Sequence, residues 1–532
     1  MAATDLLIHG GTIVDGTGSP GYHAAVAIEG DRLRIVRGDV ADMSAARRID
    51  AAGLIVAPGF IDMHSHSGLM ILAEPRHEPK VRQGVTTEVV GVDGNSYAPF
   101  ERSPDLEAFV ELNGGLDGRP PIDYDWDTVA SYLSRFDGRV AVNVAYLVGN
   151  SALRICAMGW DDVPATERHL ERMCALLREG MEEGAFGVSS GLDYPPGSFA
   201  TTDELAGLTR QAAALGGIYH THVRYTLGDR FLDPFREAIE IGRRGEGPVH
   251  ITHFYHRETF PGPPERMLAL VEDARDDGLD VTYDSYPYEW ASTRLLIMLP
   301  PWVQAGGPAP LHERLVDRGI RDRLRDEVAG RAVSYAGRDP WADLRLGYFG
   351  TGPNARWEGR TLSEYMAGTG LDVVDAICEL LLSEDLRVSQ VTPGPWSETL
   401  PAFVRHPLGM VGTDSTFLGE KPSPRTYGSF PRILGQFVRD ERLLSLPEAV
   451  RKMTSYPAQR LGIPDRGLLR DGMKADVVVF NPLTVRAVAT YDDPRRFPVG
   501  IPYVIVNGQL VVDGGEHTGA VPGRALRRGR PG

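Results

Sequence analysis

The amino-acid sequence predicts an α/β fold, a (β/α)₈ TIM-like barrel that carries a small β-sandwich and an insertion. Along the middle of the chain, eight short apolar runs alternate with longer amphipathic stretches, as in parallel α/β proteins. No glycine-rich dinucleotide-binding pattern is present, so a doubly wound sheet is disfavoured. Both ends of the chain contain short strand-like runs broken by Gly and Asp-Gly turns.

The eight apolar runs are the predicted barrel strands and define a catalytic domain over residues 58–465. Helix start and stop signals separate them, such as Thr-Thr-Asp-Glu at 201–204 and Gly-Gly at 216–217. The predicted strands cover residues 61–66, 87–93, 140–149, 186–191, 218–224, 249–254, 281–287 and 409–414.

A gap of about 120 residues separates the seventh and eighth predicted strands, against a few tens for an ordinary βα unit. We therefore expect an inserted subdomain over about 290–390. It contains the Pro- and Gly-rich stretch PPWVQAGGPAP and an additional strand in LRLGYFG. A lid over the substrate is one interpretation of its position.

The two chain ends, residues 1–57 and 466–532, are predicted to pair into one composite β-sandwich. Strand-like runs occur in 5–57 and again in 474–515, where the second group includes an Asn-Gly hairpin turn. The basic tail ALRRGRPG at 525–532 is expected to be mobile.

The composition disfavours two classes of binding partner, nucleic acids and membranes. The formal net charge of −16 disfavours nucleic acids and anionic membranes, because both recruit basic surfaces. The start has no signal-peptide pattern and no apolar run is long enough to span a bilayer, so we expect a cytoplasmic protein. The partner is then a small-molecule substrate, and the chain is a monomer or a homo-oligomer.

Metal-capable side chains fall at the ends of five predicted strands. Catalytic residues of such barrels lie at the C-terminal ends of the strands, so these side chains are expected to converge. A lone His-x-His is more often structural, but six candidates at matching positions favour a metal site, with Zn²⁺ as the preferred ion. The candidates are His64, His66, Asp93, His222, His253 and Asp414. His220 and His250 lie earlier in their strands and are interpreted as packing or supporting groups.

This donor set predicts metal-assisted hydrolysis of a C–N bond in an amide, a cyclic amide or an amidine. A divalent metal lowers the pKa of bound water from 15.7 to about 7. Asp414 is the candidate acid/base that takes the proton and passes it to the leaving group; the alternative is a purely structural ligand.

Several collinear segments resemble the amidohydrolase superfamily, and within it the N-acyl-D-amino-acid deacylases (D-aminoacylases). They include APGFIDMHSHSG, RQGVTTEVVG, GVSSGLDYPPGSFATTDEL, GGIYHTHVR and LSLPEAVRKMTSYPAQRLGI. The resemblance implies a metal-dependent deacylase that converts N-acyl-D-amino acids to free amino acid and carboxylic acid. It places His64, His66, His222, His253 and Asp414 at the family's metal positions, with Asp414 as catalytic acid/base.

The chain departs from the family at the second strand. The family usually has Gly-Asn-Cys-Gly there, and GVDG puts Asp93 in place of the cysteine. A carboxylate is a harder ligand than a thiolate, so Mn²⁺ or Fe²⁺ becomes an alternative to Zn²⁺. Since strand four, FGVSSGL, offers neither lysine nor glutamate, Asp93 is either a bridging ligand or the site holds one ion only.

Other departures fall around the predicted substrate pocket. Asn150 and Ser423 occupy family histidine positions, and Tyr255 replaces a basic residue that the family uses to hold the substrate carboxylate. Tyr255 and Arg425 are predicted substrate-binding residues, as are Tyr194, Tyr286 and Arg224. Aromatic packing is the alternative for Tyr194 and Tyr286, and a barrel-wall ion pair is the alternative for Arg224.

Two further functions stay open at this point. A hydrolase of another amide or of a cyclic amide, or a deaminase, would use the same scaffold, although a hydantoinase-like enzyme normally needs the missing strand-four lysine. A protein of another class, a non-catalytic oligomeric scaffold, would not need an intact set of metal-capable residues, which disfavours it.

Overall fold

The computed structural model describes residues 4–225, 231–329 and 339–529, and it confirms the predicted barrel. Each barrel strand pairs in parallel with the next. Backbone hydrogen bonds from Met63 to Val411 (3.3 Å) and from Asp414 to His64 (2.9 Å) close the last strand onto the first. The strands are β1 (Phe60–Asp62), β2 (Val85–Val90), β3 (Asn143–Tyr146, continued by Val148–Gly149), β4 (Gly187–Gly191), β5 (Ile218–His222), β6 (Val249–Ile251), β7 (Val281–Ser285) and β8 (Gly409–Val411).

Helices surround the barrel, and every residue of its strands is buried, as expected for a parallel sheet covered on both faces. The side chains of Thr166 and Thr201 cap the N-termini of two helices. Each hydroxyl oxygen accepts a hydrogen bond from the backbone amide three residues later in the chain. The α-helices are Met70–Ala73, Glu78–Val81, Ser103–Leu112, Val129–Leu133, Asn150–Met158, Glu167–Glu182, Thr202–Ala214, Asp233–Gly245, Glu265–Asp276, Leu400–Arg405, Arg425–Arg432, Leu446–Met453 and Ser455–Leu461, with a 3₁₀ turn at Gly197–Phe199 and a π-helix at Ile433–Asp440. In the described ranges, none of the helices has the length and apolarity needed to cross a bilayer.

The insertion lies between β7 and β8, as predicted, and has a hydrophobic core of its own that includes Leu295, Leu311, Leu346 and Ile377. Residues 330–338 of the predicted insertion lie outside the described residues. An antiparallel sheet forms from Trp290–Arg294, Val388–Pro393 and Arg345–Phe349, in that order, and the last contains the expected strand. The helices are Pro308–Val316, Arg318–Ala329, Leu362–Thr369 and Val373–Ser383, with 3₁₀ turns at Leu295–Met298, Pro301–Gln304 and Ala355–Trp357.

Both chain ends contribute to one β-sandwich, which confirms the composite arrangement. The link is the antiparallel pairing of Ile55–Pro58 with Val477–Phe480. One sheet has the order Glu516–His517, Gln509–Asp513, Tyr503–Val506, Val477–Phe480, Ile55–Pro58, Thr12–Ile13 and Tyr22–His23; the other has Arg32–Val36, Ala25–Glu29, Thr4–His9 and Ala45–Asp50. The domain boundaries at 57/58 and 465/466 stay predictions.

The expectation of a mobile tail is wrong for its described part, residues 525–529. Ala525 and Leu526 are buried, and the Leu526 amide donates to the Val144 carbonyl (2.8 Å). Arg527 pairs with Asp137 at 2.7 Å. The tail begins with two apolar residues that cover the N-terminal end of β3, and burial of this apolar surface holds the segment in place.

A buried ion cluster beneath the barrel mouth joins β1, β2 and β8. The Lys80 ammonium contacts the Asp62 carboxylate, lies 2.5 Å from Thr413 Oγ1 and is 3.8 Å from Glu88. The Thr413 amide in turn donates to Asp62 (2.8 Å). Since Lys80 and Asp62 are both inaccessible to solvent, each depends on the other for its compensating charge, whereas Glu88 has a nearer partner in His77 at 3.0 Å.

We expect Lys80→Met to lower the stability of the barrel by about 3–5 kcal/mol, because Asp62 would be left buried without its cation. A thermal unfolding scan measures the change. The matched control is Arg244→Met, whose ion pair with Asp203 is exposed, and only a small shift is expected there. Equal shifts for the two variants would contradict the assigned role of Lys80.

Candidate metal centre

The six predicted metal ligands meet at the C-terminal mouth of the barrel, but most lie beyond the strands. The prediction that the strands continue through them is wrong, since only His222 ends a strand. The backbone leaves the ladder at the mouth, where Asp93 (φ 53°), His253 (φ 35°) and Asp414 (φ 48°) are left-handed. This conformation cannot continue a strand, and non-glycine residues adopt it at a cost that often marks functional sites.

The Asp93 carboxylate is the common point of the cluster. Its Oδ2 lies 3.3 Å from His64 Nε2, 3.6 Å from His66 Nε2, 3.6 Å from His222 Nδ1 and 3.8 Å from His253 Nε2. One carboxylate oxygen therefore lies between two pairs of imidazoles that come from opposite sides of the barrel.

Asp414 completes the group around the first imidazole pair. Its Oδ1 lies 3.5 Å from His64 Nε2 and 3.4 Å from His66 Nε2, and its Oδ2 lies 2.7 Å from Arg425 Nη1. The donor atoms thus form two sets that share Asp93: one comprises His64, His66, Asp93 and Asp414, and the other Asp93, His222 and His253.

The cluster requires positive charge between its carboxylates. Burial opposes protonation of His64, but Asp93 and Asp414 outweigh it and raise its pKa to about 10. Burial likewise opposes protonation of His222, whose pKa nevertheless rises to about 9 beside Asp193 and Asp93. Burial favours a neutral Asp414, yet Arg425 and His64 lower its pKa to about 2. Protons on the imidazoles or a divalent cation can supply this charge.

The residues present fit a metal ion in each set. Neither ring nitrogen of the buried His64 has a well-directed hydrogen-bond acceptor within the described residues. His222 Nδ1 and His253 Nε2 face each other at 2.9 Å, an arrangement that a shared cation stabilises. Imidazole nitrogens with carboxylate oxygens are typical ligands of Zn²⁺ and of similar divalent metals.

Carboxylates behind the imidazoles fix the ring orientations. Asp117 Oδ1 lies 2.7 Å from His66 Nδ1 and Asp193 Oδ2 lies 3.1 Å from His222 Nε2. Such partners select the tautomer of a metal-binding histidine and raise its basicity. Sequence reasoning missed both. Asp193 lies two residues after the end of β4, which was an available signal, whereas Asp117 comes from a loop after a helix and had none.

Two further groups support the cluster. The Tyr225 hydroxyl lies 3.1 Å from His253 Nδ1, and Asp284 lies 3.7 Å from His64 Nδ1 and 3.0 Å from His250 Nε2. His220 Nε2 lies 3.1 Å from the Met63 carbonyl. His220 and His250 are therefore placed as packing and supporting groups.

A cavity of about 740 Å³ opens above this cluster, between the barrel mouth and the insertion. Its floor includes Asp93, His222, His253 and Asp414. Three of the predicted substrate residues also line it: Tyr194, Tyr255 and Tyr286. The insertion adds largely apolar side chains, namely Ile297, Met298, Trp341 and Leu344, together with Gln390.

The other two predicted substrate residues are not among those that line the described cavity. Arg224 pairs with Glu237 (3.1 Å) and donates to the Ala200 carbonyl (2.8 Å), which matches the barrel-wall alternative. The guanidinium carbon of Arg425 lies 4.3 Å from the centre of the Tyr286 ring, and Arg425 forms an ion pair with Asp414. A substrate contact for either arginine stays a prediction.

Two of the family departures have structural partners in the described residues. The Asn150 side-chain amide donates to the Gly197 carbonyl (3.0 Å), and the Ser423 hydroxyl donates to the Trp290 carbonyl (3.0 Å). Both side chains thus hold loops near the mouth in place.

The chain is similar to known amidohydrolases in sequence and in structure. A profile of the Amidohydrolase family matches residues 47–314 and 358–512. The chain is 35% identical to the D-aminoacylase of Alcaligenes xylosoxydans xylosoxydans over 98% of both chains. It is also 35% identical to the N-acyl-D-glutamate deacylase of that organism, over 98% of this chain and 96% of the relative. The solved N-acyl-D-glutamate deacylase of Bordetella bronchiseptica, complexed with zinc and a phosphonate inhibitor, superimposes with a TM-score of 0.82 at 32% identity, over 99% of this chain and 100% of that chain.

We expect Asp93→Ala to reduce the metal content of the purified protein by at least one ion per chain when the parent binds two, because one oxygen serves both sets. Plasma emission spectrometry of dialysed protein measures the stoichiometry. Asp343→Asn, a cavity-lining change outside the donor sets, is the control and should leave the metal content unchanged. Full metal retention in Asp93→Ala would show that Asp93 is not a ligand.

Proposed function

The chain belongs to the amidohydrolase family, within its D-aminoacylase group, and on this premise we propose that it is a metal-dependent deacylase of N-acyl-D-amino acids. The reaction releases a free amino acid and a carboxylic acid. The observation that carries the proposal is the position of Asp93 Oδ2 within 3.3–3.8 Å of four imidazole nitrogens. Asp414 lies beside them at the floor of a cavity that admits a small molecule.

His64, His66 and Asp414 would hold one ion, and His222 and His253 a second, with Asp93 bridging the two. Zinc is the proposed ion because the Bordetella deacylase contains it and the imidazoles suit it. The Asp93 oxygen widens the choice to Mn²⁺ or Fe²⁺. When bound, such an ion polarises a carbonyl and lowers the pKa of water from 15.7 to about 7.

Asp414 would move the proton in this reaction. Its Oδ2 is held by Arg425 at 2.7 Å, while its Oδ1 faces His64, His66 and the cavity floor. Arg425 and His64 lower the pKa of this carboxyl to about 2, so it is ionised at neutral pH. Oδ1 takes the proton of the attacking water as oxygen adds to the carbonyl carbon. It then donates this proton to the amide nitrogen as the C–N bond breaks.

The cavity side chains provide the remaining contacts. The Tyr194 hydroxyl, 2.9 Å from Thr293 Oγ1, and the Tyr286 ring lie on the walls above the metal centre. Both would orient an acylated amino acid by hydrogen bonding and packing. The choice of the D enantiomer rests on the similarity to D-aminoacylase and not on the chemistry of these side chains.

The cyclic-amide alternative gains no support from strand four. Ser189, which lies there, donates to the Gly91 carbonyl and accepts from the Gly94 amide (3.1 Å). No lysine of β4 is available to bridge two metals. The scaffold alternative is disfavoured because all six metal-capable side chains converge on one point.

We expect protein loaded with Zn²⁺ or Mn²⁺ to release acetate from N-acetyl-D-amino acids and to leave the L enantiomers intact. The matched variant Asp414→Asn should retain metal through the remaining donors but lose at least about 10²-fold in kcat, because the proton acceptor is removed. Chromatographic measurement of the released acetate gives the turnover of each enantiomer and the kcat of the variant.

Turnover of neither enantiomer by the metal-loaded parent would contradict the proposed substrate. Activity in Asp414→Asn close to that of the parent would contradict the proposed role of Asp414.

A further inference from the structure

The first set of metal donors spans the seam where the barrel closes. His64 and His66 follow β1, whereas Asp414 follows β8. Both strands end before these donors, since β1 stops at Asp62 and β8 stops at Val411. The distance between the two imidazoles and the Asp414 carboxylate is therefore set by contacts that lie beyond the strands.

One carboxylate, that of Asp62, holds the two segments that follow β1 and β8. Its Oδ1 accepts hydrogen bonds from the His64 amide (3.1 Å) and from the Thr413 amide (2.8 Å). Its Oδ2 accepts a hydrogen bond from the Thr413 hydroxyl (2.7 Å). Asp62 thus lies two residues before one metal donor and binds the residue directly before another, Asp414. A shift of either segment would lengthen at least one of these bonds.

The Thr413 hydroxyl joins this carboxylate to the buried ammonium of Lys80. Lys80 Nζ donates to Thr413 Oγ1 (2.5 Å), and the hydroxyl donates in turn to Asp62. All three side chains are fully buried. Apolar side chains can often replace a buried ion pair without loss of stability, so stability alone does not explain charges at this place. The directional bonds that they make can specify the geometry of the seam.

The backbone of Asp414 needs a restraint of this kind. Its φ of 48° is left-handed, and a non-glycine residue keeps this conformation only where neighbouring contacts determine it. Asp62 fixes the preceding residue, Thr413, and the Asp414 amide donates to the His64 carbonyl (2.9 Å). The Asp414 Oδ1 atom is thereby held 3.5 Å from His64 Nε2 and 3.4 Å from His66 Nε2.

We propose that Thr413 is a positioning residue for the first donor set. Its hydroxyl, bound between Lys80 and Asp62, fixes Asp414 relative to the two imidazoles that follow β1. The inference rests on the proposed function, since it concerns the carboxylate that moves the proton. A misplacement of about 1 Å can cost about 10²-fold in rate, so loss of the hydroxyl should affect the chemistry although Thr413 itself is fully buried.

The zinc affinity of the protein tests this role without turnover. Thr413→Val keeps the shape of the side chain and removes its hydroxyl, so the dissociation constant of a zinc ion should rise by about 10–100-fold in competition titrations against a chelator. Thr413→Ser keeps the hydroxyl and should bind zinc as the parent does. Thr413→Ala gives the same comparison if Thr413→Val yields no folded protein, because it places no methyl group against the Lys80 ammonium.

A matched control separates positioning from a general loss of stability. Thr454 is also fully buried, and its hydroxyl donates to the Val450 carbonyl (2.7 Å). This residue lies between the helices Leu446–Met453 and Ser455–Leu461, outside the donor sets. Thr454→Val should therefore lower the thermal stability of the protein but leave its zinc affinity unchanged.

The hydrolysis of N-acetyl-D-methionine at saturating zinc separates positioning from substrate binding. Thr413→Val should lower kcat by about 10-fold or more and leave KM nearly unchanged, because Asp414 is displaced while the cavity wall stays intact. Thr413→Ser should restore kcat, and Thr454→Val should leave both constants unchanged.

The two readouts distinguish failure of this inference from failure of the proposed function. Weaker zinc binding in Thr413→Val, with recovery in Thr413→Ser, supports the positioning role even if none of the proteins hydrolyses the substrate, in which case only the proposed function fails. Zinc affinity in Thr413→Val equal to that of the parent, or an equal loss in Thr454→Val, would overturn the role of Thr413. Failure of Thr413→Ser to recover the affinity would do the same.

Discussion

The arrangement of the barrel mouth depends on one electrostatic constraint, the burial of the Asp93 and Asp414 carboxylates. Both are nearly inaccessible to solvent, at 1% and 7% exposure, so their charge must be balanced inside the protein. Four imidazoles and Arg425 surround them for this reason. A divalent cation would also neutralise these two carboxylates. The buried negative charge therefore explains both the surrounding cationic side chains and the capacity of the cluster to bind a metal.

The rest of the mouth holds these charges in place. Left-handed backbone at Asp93, His253 and Asp414 turns the side chains inward just after the strands end. Strain of this kind persists only when surrounding contacts determine it. The Lys80 cluster below and the Asp117 and Asp193 carboxylates behind the rings supply those contacts. The insertion then adds largely apolar side chains to the wall of the cavity above the cluster.

Much of this arrangement could be predicted from the sequence because parallel strands impose a simple geometry. Polar residues after successive apolar runs must meet at one mouth, and His64, His222 and Asp414 do so. The strand ends could not be predicted, since His253 is left-handed only in its tertiary setting. Asp117 lies far from any strand end, and its role depends on the position of a loop that no local pattern specifies.

The measurement that tests the metal centre most directly is an anomalous difference map at the zinc edge, from crystals of zinc-loaded protein. We expect a peak at the barrel mouth, about 2.0–2.2 Å from an Asp93 oxygen and from imidazole nitrogens of His64 and His66 or of His222 and His253. A second peak on the other side of Asp93 would establish the bridging role. A map with no peak at Asp93, or with zinc bound only elsewhere on the chain, would contradict a metal centre at the barrel mouth.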